Sequence, residues 1–442
     1  MSRSREIFVV SGVCAVTALC LCSPVTHAQQ SNTMHCDIYP SAVMRPVCDN
    51  QDAQNQPKGT TVSEYLVHDI QKAQDAQKAQ NWSLEVQILQ AAVAAHSKRT
   101  PYDNFLINSW LGVADAHLKN YTDAAPALEA AAESQYATAE QQKSMLPTVV
   151  TLYSQLQQYP KAIAVGQYAI QHGIATSDLY STVAVDQNDI GQYKQAAATI
   201  QQVIDKEPKP EEQYLEFQLD AYNQASDQPD ATKVAYELVT YYPRPNYWLD
   251  ALQPVLKMSV NDAHLQLDVY RLMNEVGVLK MPNDYAQMAD LCFNAGYPGE
   301  TVAVLQQALA NDVFTDPRDI MRYQHMLMAA MQKVTEDEAS LPSQEAKAET
   351  AATGDLLIGV GAAYLSYGQA DKAASAISQG IAKGGLKSAD EANLLLGMAQ
   401  LKSHDAAAAG GSFDKVGKSD NQGYAQLGRL WVLRSKSPTT AT

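Results

Sequence analysis

WLGVADAHLKNYTDAAPALEAA, residues 110–131, decides the fold. Trp110, Leu111, Tyr121 and Leu128 are bulky and apolar, while Gly112, Ala114, Ala124 and Ala131 are small, and all recur at helical spacing. Small residues allow two helices to approach closely, and large ones fill the space around the contact. The stretch therefore reads as a helical hairpin closed by small-on-large packing.

The same texture returns along the chain. Tyr159 and Ala162 carry it next, then Gly191, Tyr193, Ala196 and Ile200 before Pro208, then Ala221, Tyr222, Ala231 and Leu238 before Pro243. Later copies contain Gly296, Thr301, Leu305 and Ala308, then Gly361, Tyr364, Gly368, Ala373 and Ile377, then Gly397, Ala399, Ala409 and Phe413. With the small position of the first helix as a marker, the series is Ala73, Gly112, Val150, Ala184, Leu219, Ala251, Ala289, Gly361 and Gly397. This pattern resembles the tetratricopeptide repeat, whose unit is about 34 residues. The resemblance implies an all-α, right-handed superhelical solenoid of about ten helical hairpins. Residues 424–433 have apolar side chains at helical spacing and are expected to cap the open end of the stack.

The interval from Ala289 to Gly361 is twice a repeat, so a degenerate pair is expected over Asp319–Lys333 and Ser343–Ala352. Acidic, proline-containing Thr335–Pro342 reads as the bend between them. The expected organisation is a signal peptide at 1–28, an irregular leader at 29–59, and central repeats at 60–334. A degenerate or linking segment at 335–353, C-terminal repeats and cap at 354–435, and a mobile tail at 436–442 complete it.

The signal rests on Arg3 and Arg5, an apolar run from Ile7 to Cys22, and Ala28 as the residue before cleavage. That run is shorter than the roughly 20 residues needed to span a bilayer, so an uncleaved anchor is the lesser reading. Cys20 and Cys22 each follow leucine, which argues against lipidation. No integral membrane segment is expected after cleavage, and the expected location is periplasmic or secreted.

The net charge of −16 disfavours nucleic acid and anionic lipid as partners. In an oxidising compartment Cys36 and Cys48, close together in a proline-rich leader, are expected to form a disulfide. His35 raises a zinc reading, but no second Cys or His pair lies nearby. Cys292 reads as a small residue packed in a helix. No phosphate loop, zinc-protease helix or serine-hydrolase elbow occurs, and neither a cofactor nor an enzymatic activity is expected.

A repeat stack exposes its first helices on a concave groove. In this register Gln155, Asn188, Asp189, Glu216, Asp220, Asn223 and Gln224 project there, together with Thr151 and Ser154. Acids and amides suit a basic or extended protein segment, because amides donate and accept while acids attract Lys and Arg. They do not match the Lys- and Asn-based carboxylate clamp of chaperone-binding tetratricopeptide proteins.

The segments Pro101–Asn108, Tyr242–Trp248, Leu267–Leu272 and Ala363–Gly368 are similar to those of exported bacterial tetratricopeptide proteins that accompany TonB-ExbB-ExbD systems. That resemblance implies a periplasmic scaffold beside outer-membrane transport, with envelope proteins as partners. A scaffold or assembly factor for envelope polysaccharide or protein secretion is the alternative.

Overall fold

The computed structural model describes residues 60–437, so the expected signal, Cys36, Cys48 and the end of the tail lie outside the described residues. Among the described residues there are twenty α-helices and no strand. They fall into two units, divided between Asp227 and Gln228.

Unit 1 holds α1 (Glu64–Lys78), α2 (Trp82–Ala95), α3 (Pro101–His117), α4 (Tyr121–Ala132), α5 (Ala139–Gln155), α6 (Tyr159–Gln171), α7 (Ser177–Asp189), α8 (Tyr193–Ile204) and α9 (Glu212–Gln224). Unit 2 begins with α10 (Gln228–Tyr241), α11 (Pro245–Met258), α12 (Ala263–Glu275), α13 (Pro282–Asn294), α14 (Pro298–Ala310) and α15 (Pro317–Thr350). It ends with α16 (Asp355–Ser366), α17 (Ala370–Lys383), α18 (Ala389–Lys402), α19 (Ala406–Val416) and α20 (Gln422–Lys436). Within each unit every helix packs on the next.

The marker positions explain how each hairpin closes. A Cβ on Gly112 would lie 2.5 Å from Leu128 Cγ, one on Gly361 2.3 Å from Ile377 Cγ1, and one on Gly397 2.4 Å from Phe413 Cε1. In each case the bulky partner follows sixteen positions later. Ala73 and Leu89, Ala184 and Ile200, Ala251 and Leu267, and Ala289 and Leu305 keep that spacing, and all eight are buried. After Val150 the residue at the same spacing is Gly166, and what that glycine makes room for is α7: a Cβ there would meet Val183 Cγ2 at 2.1 Å but Val150 Cγ2 only at an ordinary 3.6 Å.

The same register sets the turns. Seven positions after the marker the backbone is left-handed at Gln80, Lys119, Gln157, Gly191, Ser226, Gly296, Gly368 and His404. The next amide then donates back to a carbonyl inside the first helix, as in Asn120 to Asp115 at 2.8 Å and Gln369 to Tyr364 at 2.8 Å. These bonds satisfy orphan carbonyls at the helix end and reverse the chain. Gly296 (φ +80°) shows why glycine suits the position, since a side chain there is strained by its own carbonyl. Caps fix the starts: Thr100 with Asp103 and Thr138 with Gln141 form reciprocal capping boxes at α3 and α5.

The expected bend at Thr335–Pro342 does not form. One helix of 34 residues, α15, runs through it and replaces the anticipated degenerate pair. No glycine occurs between Gly299 and Gly354 to supply a left-handed turn, and Ala, Met, Gln, Glu and Lys in this stretch favour helix. Pro342 and Glu338, whose carbonyl loses its helical donor to that proline, are both exposed. Lys383 Nζ closes the far end by donating to the carbonyls of Ala348 (3.3 Å) and Glu349 (2.7 Å).

α20 does more than cap the last pair. It stacks Trp431 on Phe413 of α19 at 5.0 Å, and it also packs against α10, α11 and α12, the first helices of its own unit. Tyr236 Oη donates to the Gln426 carbonyl at 3.4 Å, and Arg434 Nη2 to Glu275 Oε1 at 2.8 Å. Gly423 makes the close approach possible, since a Cβ there would sit 2.4 Å from Leu265 Cδ2. Unit 2 is thereby closed on itself.

Gly112→Val is expected to destabilise the protein by about 1–3 kcal/mol through overpacking against Leu128. Adding Leu128→Gly, which empties the space the valine enters, should recover part of the loss in urea denaturation. Strictly additive losses would show that the two positions do not share the contact.

Candidate functional site

In unit 1 the first helices present narrow outward faces because they are packed on several sides. α7 touches α5, α6 and α8. Its buried residues therefore wrap most of the helix and leave Asp178, Thr182, Val185 and Asp189 outward, spaced as one helical face. On α9 the corresponding face is Glu212, Glu216, Asp220 and Asn223, and on α5 it is Ser144, Pro147, Thr151 and Gln155.

The anticipated groove residues divide accordingly. Gln155, Asp189 and Asn223 are exposed, and Glu216, Asp220 and Gln224 are half-buried. Gln224 Nε2 donates to Asp220 Oδ2 at 2.7 Å. Asn188 departs from the expectation: it is buried, with Oδ1 unpaired, because it lies one residue around α7 from the outward face. The register reading named the outward positions of α7 incompletely; Asp178, Thr182 and Val185 belong with Asp189 and were legible from their spacing alone.

Beneath this face lies a carboxyl that sequence reasoning missed. Asp186 is buried two positions after the marker Ala184, where neighbouring repeats carry Ala114, Leu152 and Ala221. An acid in that run of apolar residues was the available signal. Ser154 Oγ lies 2.8 Å from the Val150 carbonyl and 2.5 Å from Asp186 Oδ2. A hydroxyl has one proton to give. Ser154 therefore divides its one proton between the Val150 carbonyl and Asp186 Oδ2. Burial first, and the nearby charge of Asp189 as well, push the Asp186 carboxyl up to about 7, against the hydrogen bond from Ser154.

Unit 2 contains a second polar cluster, this one internal. Arg271 of α12 donates Nη1 to Asp268 Oδ1 at 2.7 Å, and Nε and Nη2 to the two oxygens of Glu300 on α14 at 2.9 and 2.7 Å. Its guanidinium lies over the Tyr297 ring at 4.8 Å. Cys292 is buried as a free thiol in α13, as expected, but its Sγ is 3.7 Å from Glu300 Oε2 rather than in purely apolar surroundings. Burial, followed by the charge of Glu300, pushes that thiol up and keeps it protonated. At the edge of the cluster His264 Nδ1 meets Glu391 Oε1 of α18 at 3.0 Å. Arg271 and Asp268 are almost wholly enclosed, so this cluster joins helices and does not face a ligand.

Among the described residues, no group of three or more His, Cys, Asp or Glu is placed to hold a metal ion. No helix among them is long and apolar enough to cross a membrane.

No family model matches the sequence, and no curated protein matches it. Solved structures do. A tetratricopeptide repeat protein from Parabacteroides merdae ATCC 43184 is 12% identical over 76% of this chain and 100% of its own, with a TM-score of 0.31. The Naa15/Naa10 complex bound to HypK-THB is 12% identical over 82% of this chain and 60% of the matched one, at 0.32. Yeast Tom70 is 10% identical over 84% of this chain and 95% of its own, at 0.20.

Two substitutions separate the roles of the two clusters. The raised Asp186 carboxyl stabilises the fold fully below its unfolded value near 3.8 and loses that contribution as pH rises through about 7, a change on the order of 4 kcal/mol. Asp186→Asn should therefore flatten the fall in Tm between pH 5 and pH 8; an unchanged slope would count against a protonated Asp186. Arg271→Met leaves Asp268 and Glu300 without their counter-charge and is expected to cost about 3–5 kcal/mol in chemical denaturation.

Proposed function

We propose that this chain is a non-enzymatic, periplasmic protein-binding scaffold whose groove in unit 1 takes a basic or extended segment of an envelope protein. The observation that carries this reading is the pair of outward faces on α7 and α9. Asp178, Asp189, Glu216 and Asp220 lie on them beside Thr182, Asn223 and Gln224. Acids bring a basic segment in quickly and make its affinity fall with salt, while hydroxyl and amide groups pair with its backbone. The resemblance to proteins accompanying TonB-ExbB-ExbD systems supports a role in TonB-dependent outer-membrane transport.

The test places a photo-reactive side chain at Gln155 or Asn223, which are exposed on the groove, and at Gln201, on the second helix α8. Irradiation in the periplasm should capture the same protein from both groove positions and not from Gln201, with yield falling as salt rises. Capture from Gln201 alone, or equal capture at all three positions, would place binding elsewhere. Finding no component or substrate of a TonB system among the captured proteins would remove the transport reading and leave the scaffold.

A further inference from the structure

α15 is buried along one narrow stripe, Tyr323, Ala330, Leu341 and Ala348. The opposite side is open. Met321, Met328 and Met331 are 59%, 60% and 50% exposed there or at its margin, and Ala339 and Ala346 are exposed as well. With about 100° between successive residues, Met321, Met328, Gln332, Thr335, Ala339 and Ala346 share that outward side, with exposed Arg318 and Glu336 at its edge. An exposed face this long, carrying large apolar groups, is the signature of a surface that meets another protein.

A gradient along α15 identifies the occupant: bulky methionines fill the first half of the face and alanines the second. We propose that a second copy of this chain covers the face, α15 against α15, antiparallel about a two-fold axis passing between Lys333 and Val334. That register sets Met321 opposite Ala346, Met328 opposite Ala339 and Gln332 opposite Thr335 of the partner copy. Each large side chain meets a small one, and each contact occurs twice, as an isologous interface requires. Methionine, flexible and polarisable, fills the space above an alanine readily. A parallel pairing would set Met on Met and Ala on Ala.

The test uses the full exported chain. Light scattering should give the mass of two chains, falling toward one on dilution. Met328→Glu and Ala339→Glu should each give a monomer with unchanged helicity and Tm. Met328→Cys and Ala339→Cys proteins, mixed and oxidised, should form a 328-to-339 disulfide located by peptide mass spectrometry. Either variant alone should not cross-link at that site, because its two copies would lie about 16 Å apart along the helix axis. A monomer at every concentration, a dimer that survives both Glu substitutions, or a preferred 328-to-328 bond would each overturn the proposal.

Discussion

Each hairpin rests on a contact between residues sixteen positions apart, one of which must nearly vanish. Gly112 against Leu128, Gly361 against Ile377 and Gly397 against Phe413 solve the same steric problem in three hairpins. Once the helices touch there, the turn between them has little freedom. A left-handed residue follows seven positions after the marker even where the side chain is Gln80, Lys119 or Gln157. Tertiary contact thus overrides the local preference for glycine, which is why a glycine-based search finds only some of the repeats.

The hairpins were legible from the chain because their signal is periodic and local. α15 was not, because a doubled repeat interval looks the same whether it holds two degenerate helices or one continuous helix. What decides is the lack of a turn-forming residue, and acidic, proline-containing character at Thr335–Pro342 masked it. The outward faces of the first helices were legible as a set and less so residue by residue. Asn188 and Asp189 are neighbours in sequence, yet a step of about 100° carries one into the packing and leaves the other outside. Asp186 escaped notice because an acid in a repeat chain reads as surface until its neighbours are known.

Both units bury a carboxyl away from water. Burial pushes Asp186 in unit 1 and Asp268 in unit 2 up to about 7, so both respond to pH near neutrality. They differ in what opposes that push: Ser154 hydrogen-bonds Asp186, whereas the Arg271 guanidinium pairs with Asp268 and Glu300 and ties α12 to α14.

The return of α20 to α10, α11 and α12 bears on how the protein is made. An open repeat array can gain structure one hairpin at a time as it leaves the ribosome or a translocation pore, because each unit asks only for its neighbour. Unit 2 cannot finish that way: Tyr236 waits for Gln426, 190 residues later, and Glu275 for Arg434, 159 residues later. Its first helices must travel with an uncovered side until the last segment arrives. Closure of unit 2 is thus one long-range event that follows the making of α20.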